Sequence, residues 1–96
     1  MTKREEGTRI IITVLGHDRV GIIAGISVIL ADAQINILDI NQTIIQGFFT
    51  MVMVADIAQS KVDIAQLRDI LNRKGLEMEL QITVQHEDIF RYMHRI

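Results

Sequence analysis

The side chains best suited to chemistry fall in one short run, Gly16-His17-Asp18-Arg19-Val20-Gly21, between a β-branched stretch and an apolar helical one. A strand-to-helix junction leaves the first amides of the helix without internal partners, and the helix dipole adds a positive field there. Such a place favours an anion, for instance the free carboxylate of an amino acid held by the amides around Arg19 to Ile22. Asp18 could then face the ammonium group. A purely structural reading competes with this one: Asp18 caps the helix, Gly16 and Gly21 relax the turn, and His17 and Arg19 are solvated.

Other chemistries find no support. His17, His86 and His94 are not at the i, i+3 or i, i+4 spacing that lets two imidazoles grip a metal from one helix, so no metal site is expected. The chain has no cysteine, which excludes disulfides, thiolate metal sites and thiol nucleophiles. It also has no nucleophile elbow, phosphate-binding loop or dinucleotide fingerprint. Arg19 and Asn41 supply the residue types of an acylphosphatase, but the loop around Arg19 does not resemble that family's. The expectation is therefore no catalytic residue, no cofactor and no enzyme. Gly21-x-x-x-Gly25 is read as a means for the first helix to approach another backbone closely.

Formal net charge is −2, with the 10 Lys and Arg residues scattered, so the basic footprint needed for nucleic acid is missing. Thr13, Thr50 and Val52 stand where an RNA-binding sheet would show aromatics. Met1 to Arg9 is polar and charged, which predicts neither a signal peptide nor a membrane anchor and suggests a cytoplasmic location.

The elements that must hold the Asp18 run follow from periodicity. With 49% hydrophobic and 23% charged residues in 96, the expectation is a disordered tail over 1–8 and one folded domain over 9–96. Arg9 to Leu15 reads as a buried strand ending at Gly16. A helix capped by Asp18 should start at Arg19 or Val20 and run to Ala33. Its apolar residues, including Ile22, Ile26, Val28 and Ile29, occupy more faces than one sheet contact can bury, which predicts a homodimer.

Ile35 to Ile45 and Phe48 to Asp56 form a hairpin across Gln46-Gly47. If Ile45 faces Phe48, the core-side pairs are Ile44 with Phe49, Gln42 with Met51, Ile40 with Met53 and Leu38 with Ala55. The opposite face, with Asp39, Asn41, Thr43, Thr50, Val52 and Val54, should be mostly polar and open to water. A second helix capped by Ser60 or Asp63 should run to Lys74 and stop at Gly75. Leu76 to Gln85 alternates as a fourth strand with Met78, Leu80, Ile82 and Val84 inward. Glu87 to Ile96 suggests a short amphipathic helix.

This order gives an α+β fold class: a ferredoxin-like βαββαβ sandwich, with a four-stranded antiparallel sheet, two helices on one face and an extra short C-terminal helix. Right-handed crossovers put strands one and three in the centre.

The segment from Ile11 through Gly16-His17-Asp18-Arg19-Val20-Gly21 to Ile23, followed by Ala33-Gln34-Ile35-Asn36-Ile37, resembles the ACT domain family over nearly the whole chain from Arg9. Within that family it is most similar to small stand-alone members related to the glycine cleavage regulators. The resemblance implies side-by-side or face-to-face dimers and regulatory binding of amino acids or similar metabolites between two domains. By carry-over, Asp18 and Gly21 would line the site together with Asn36 and Ile37, which the residues alone would mark only as a strand start. Val20 departs from the proline of many members, leaving the helix start less rigidly preset.

The expected function is therefore a non-catalytic regulatory domain that binds a small molecule, an amino acid, as a homodimer without nucleic acid or membrane. The expected ligand-binding residues are Asp18, Arg19, Val20, Gly21, Ile22, Asn36 and Ile37. The alternative is an interaction module docking on an enzyme or regulator without a ligand.

Overall fold

Alternating burial builds the sheet from its centre. In the computed structural model, which describes residues 8–88, strand β1 (Arg9–His17) buries Ile10, Ile12 and Val14 on one face. It is hydrogen-bonded on both sides, to β3 (Phe48–Asp56) and to β4 (Leu80–His86). Strand β2 (Asn36–Ile45) pairs with β3, so the antiparallel order is β2-β3-β1-β4. Strands one and three are central, as right-handed crossovers require.

Helices α1 (Ile22–Asp32) and α2 (Ile64–Met78) cover one face. Ile22, Ile26 and Leu30 of the first, with Leu67 and Leu71 of the second, close the core over Ile10, Ile12, Met51, Met53 and Ile82. This is the expected ferredoxin-like βαββαβ sandwich. The predicted C-terminal helix lies, from Ile89 on, outside the described residues, as does the predicted tail except Thr8. No helix among the described residues is long and apolar enough to cross a membrane.

The hairpin register agrees with expectation from Ile45 opposite Phe48 as far as Ile40 opposite Met53. It then shifts: Ile37, not Leu38, faces Ala55, and Leu38 is an extra residue between Ile37 and Asp39. A β-bulge of this kind keeps the alternation of both flanks while adding one residue to the edge strand. The core-side pairs are also unequally covered. Phe49, Met51 and Met53 are buried, whereas Ile44, Gln42 and Ile40 remain exposed, because α1 reaches β2 only at its margin.

Helix α2 starts as expected, with Asp63 accepting from the Gln66 amide at 2.8 Å and the Gln66 side chain accepting from the Asp63 amide at 3.0 Å. Its end differs. Gly75 is buried inside the helix, and a β-carbon there would lie 2.7 Å from the Leu80 carbonyl oxygen. The glycine thus lets helix and strand touch. Chain reversal falls instead to Glu79, in the left-handed region at φ 58°, so Met78 points inward from the helix and β4 begins at Leu80. A bidentate ion pair from the Arg9 guanidinium to Glu87, at 2.8 and 2.6 Å, ties the start of β1 to the end of β4. The hydrogen bond and charge of Glu87 raise the Arg9 pKa above its usual value.

At Gly25 a β-carbon would meet side chains alone, the flexible end of Lys74 at 3.0 Å and the Met78 sulfur at 3.5 Å, so the close-backbone reading of that glycine is corrected. The two helical glycines should therefore respond oppositely to alanine. In urea denaturation, Gly75→Ala is expected to lose about 1–3 kcal/mol from the backbone clash, whereas Gly25→Ala should be neutral or gain up to ~1 kcal/mol of helix propensity.

Candidate functional site

The β1–α1 connection is short because β1 does not stop at Gly16. Pairing continues with Gly16 opposite Phe49 and His17 opposite Phe48, and the His17 imidazole stacks on the Phe48 ring with centroids 5.0 Å apart. The Asp18 amide then donates to the Gly47 carbonyl at 2.9 Å, stitching the loop to the hairpin turn. This leaves residues 18–21 to reverse the chain. Gly21 does so at φ 93°, and its carbonyl accepts the first helical hydrogen bond from the Gly25 amide at 2.9 Å.

The predicted cap is thereby corrected. Helix α1 begins at Ile22 with Gly21 as its N-cap and receives no side-chain hydrogen bond there. Asp18, held at the strand end by its own amide, is exposed and does not cap the helix. With no side-chain cap among the described residues, the amides of Ile22 to Ala24 are left to solvent or to a ligand. Arg19 turns the other way along the loop, and its Nη1 donates to the carbonyl of Met78, the last residue of α2, at 3.2 Å. A cation at a helix C-terminus meets both an orphan carbonyl and the negative end of the dipole.

These elements enclose a groove of about 250 Å³. Asp18, Arg19, Gly21, Ile22, Ile23 and Ala24 form one wall, and Gln42, Ile44 and Phe49 form the other. It offers a carboxylate, a guanidinium, an amide and an apolar floor. Its size, below the roughly 300–1,000 Å³ of pockets for drug-sized ligands, suits a molecule of amino-acid dimensions. Two larger grooves, of about 390 and 310 Å³, lie between the helices around Ile29 and Ile70. They contain no predicted site residue, and in the larger one Lys74 is engaged with Glu77 at 2.9 Å. That contact, by hydrogen bond and charge, lowers the Glu77 carboxyl below its usual pKa.

Of the predicted residues, Asp18, Arg19, Gly21 and Ile22 therefore converge on one groove. Val20 sits beside it but is 98% exposed and does not line it. Asn36 and Ile37 are remote. Asn36 opens β2 opposite Asp56, while the groove residue Ile44 faces Phe49 near the other end of the strand. Eight positions of strand separate the two, about 26 Å at the usual rise. Asn36 is exposed, and Ile37 packs against the core.

Gln42, Ile44, Ile23, Ala24 and Phe49 were not anticipated. Gln42 carried a signal: it is the one polar residue in a core-facing row that also holds Ile40 and Ile44. Among the described residues, no three His, Asp or Glu side chains gather where a metal could be held.

A split βαββαβ sandwich with an uncapped helix start beside an exposed edge strand defines a small ferredoxin-like domain with a charged, solvent-open groove at that junction. A family model of the ACT domain matches residues 8–85. The chain belongs to the ACT domain family. A UPF0237 protein of Methanocaldococcus jannaschii is 53% identical over 89 residues, covering 93% of this chain and 99% of its own. The solved ACT domain protein from Streptococcus pneumoniae superimposes with a TM-score of 0.77 at 36% identity, over 88% of this chain and 96% of its own. A putative glycine cleavage system transcriptional repressor shares the fold, with a TM-score of 0.72 at 24% identity over 81% of this chain and 44% of its own.

A β-carbon on Gly21 would meet nothing within 4 Å, so any cost of replacing this residue is backbone strain alone. Gly21→Ala is expected to lower stability by about 1–2 kcal/mol. Gly21→Asn should recover part of that loss, as read from paired thermal and urea unfolding.

Proposed function

We propose that this chain is a non-catalytic regulatory domain that binds a small zwitterion, an amino acid, and does so as a homodimer. ACT domains are generally regulatory ligand-binding domains, and the glycine cleavage neighbour is by name a repressor. In this reading the ligand's carboxylate accepts from the free amides at the start of α1. Asp18 faces its ammonium group, Arg19 contributes positive charge, and its side chain rests on Ile22, Ile44 and Phe49 with Gln42 in reach.

The observation that carries the dimer is the separation of the two halves of the expected site along one free edge strand. Antiparallel pairing of β2 with its symmetry mate, centred near Ile40, would set the partner's Asn36 beside Ile44 and so beside the groove. The same pairing would cover Leu38, Ile40 and Ile44, which are exposed on this edge, and Val28, exposed on α1. A long unpaired apolar edge is a liability, and a two-fold mate removes it.

Calorimetry against the standard amino acids tests the reading. One ligand per chain is expected, and saturation at a hundred times Kd should stabilise the fold by about 2.7 kcal/mol. Asp18→Ala and Asn36→Ala should each abolish binding. Mixing the two variants should restore part of it, because a mixed dimer contains one site with both residues intact. Failure of every amino acid to bind, or unchanged affinity in Asp18→Ala, would refute the proposal.

A further inference from the structure

The sheet face turned away from α1 and α2 is graded along its length. At the hairpin end it is open and partly apolar: Leu15 is 49% exposed, Phe48 50% and Val52 41%, which corrects the expectation of a mostly polar surface made for water. At the other end Ile11, Val54 and Gln85 are half-buried, although both described helices lie on the opposite side of the sheet. That end is where β4 finishes. Glu87 reaches back to Arg9 there, and Asp88, the last described residue, is already helical. Eight residues follow, Ile89-Phe90-Arg91-Tyr92-Met93-His94-Arg95-Ile96. On a helical projection Ile89, Phe90, Met93 and Ile96 fall within one arc of about 120°, and Arg91, His94 and Arg95 fall opposite.

We infer that residues 89–96 fold back as a short amphipathic helix over the near half of this face, with their apolar arc on Ile11 and Val54. Reach and charge both favour this place. Eight residues of helix span about 12 Å, enough to cross from β4 over β1 to β3 at roughly 4.8 Å between strands. A helix so short is marginal alone and needs an apolar surface close to its start. The acidic Asp88 at that start and Arg95 near the end also suit the helix dipole.

Competing places are less suited. The groove between α1 and α2 around Ile29 and Ile70 lies across the body of α2 from β4, and Lys61, Arg73 and Lys74 at its sides would repel a segment carrying two arginines. The edge of β4 is occupied where the Arg68 Nε donates to the Val84 carbonyl at 2.9 Å. On the near half of the open face the cation among the described residues is Arg9, already held by Glu87, and Asp39 and Asp56 supply carboxylates at the same end. The Thr13 and Thr83 hydroxyls hydrogen-bond to each other, so covering them strands few polar groups. The inference depends on neither the ligand nor the pairing of β2.

Paired cysteines in this cysteine-free chain test the inference. On mild oxidation of the dilute full-length protein, Met93→Cys with Val54→Cys should close a link within one chain, keeping monomer mass on a denaturing gel. Closure should be at least tenfold faster than for Met93→Cys with Ile70→Cys, which probes the groove between the helices. Equal rates, a faster link to position 70, or a link that joins two chains instead of closing within one would overturn the inference. Should the Val54→Cys protein fail to fold by circular dichroism, Phe90→Cys with Ile11→Cys decides on the same criteria.

Discussion

The candidate site depends on how far β1 remains a strand. Ile10, Ile12 and Val14 are almost completely removed from water, and burial of such side chains contributes about 1.5–3 kcal/mol each. With neighbours hydrogen-bonded on both edges, the strand persists through Gly16 and His17 to the level of the hairpin turn. Only residues 18–21 then remain before α1, too few for a conventional cap and sufficient only with a left-handed glycine. The open helix start, the Asp18 tether to Gly47 and the reach of Arg19 to Met78 all follow from that shortness.

Much of the fold was legible because periodicity and turn chemistry are local. A β-branched run marked β1, alternation marked β4, the Gln46-Gly47 link set the hairpin register, and Ser60 or Asp63 marked the start of α2. What was not legible were choices settled by tertiary contact. Asp18 has the chemistry of a cap, but β-pairing of Gly16 and His17 moved the helix start beyond it. Gly75 has the chemistry of a helix stop, but α2 needed it where the Leu80 carbonyl approaches, and Glu79 accepted the left-handed conformation instead. The bulge at Leu38 left no mark, since an extra apolar residue in an apolar strand keeps the composition unchanged.

The site was half legible for a similar reason. Asp18, Arg19, Gly21 and Ile22 are neighbours in sequence, so their junction could be read directly. The opposite wall comes from β2 and β3 and depends on register, which is why Gln42 was assigned to the core-facing row without notice of its amide. Asn36 and Ile37 came from family likeness alone. Within one chain they stand far from the groove, a distance that the proposed β2 pairing would close.

The energetics of the groove point the same way. No polar or charged side chain among the described residues is buried, so the domain keeps its chemistry on its surface. Two unit charges 4 Å apart in water attract by only about 1 kcal/mol, and by about 4 kcal/mol at the effective dielectric near a protein surface. Asp18 and Arg19 are both exposed, so a zwitterion on one isolated chain would be held weakly. A wall that excludes water strengthens the same contacts without adding a charge. Ligand and subunit would then bind with a shared coupling free energy, each raising the affinity of the other by the same factor. In the proposed dimer, association would supply that wall.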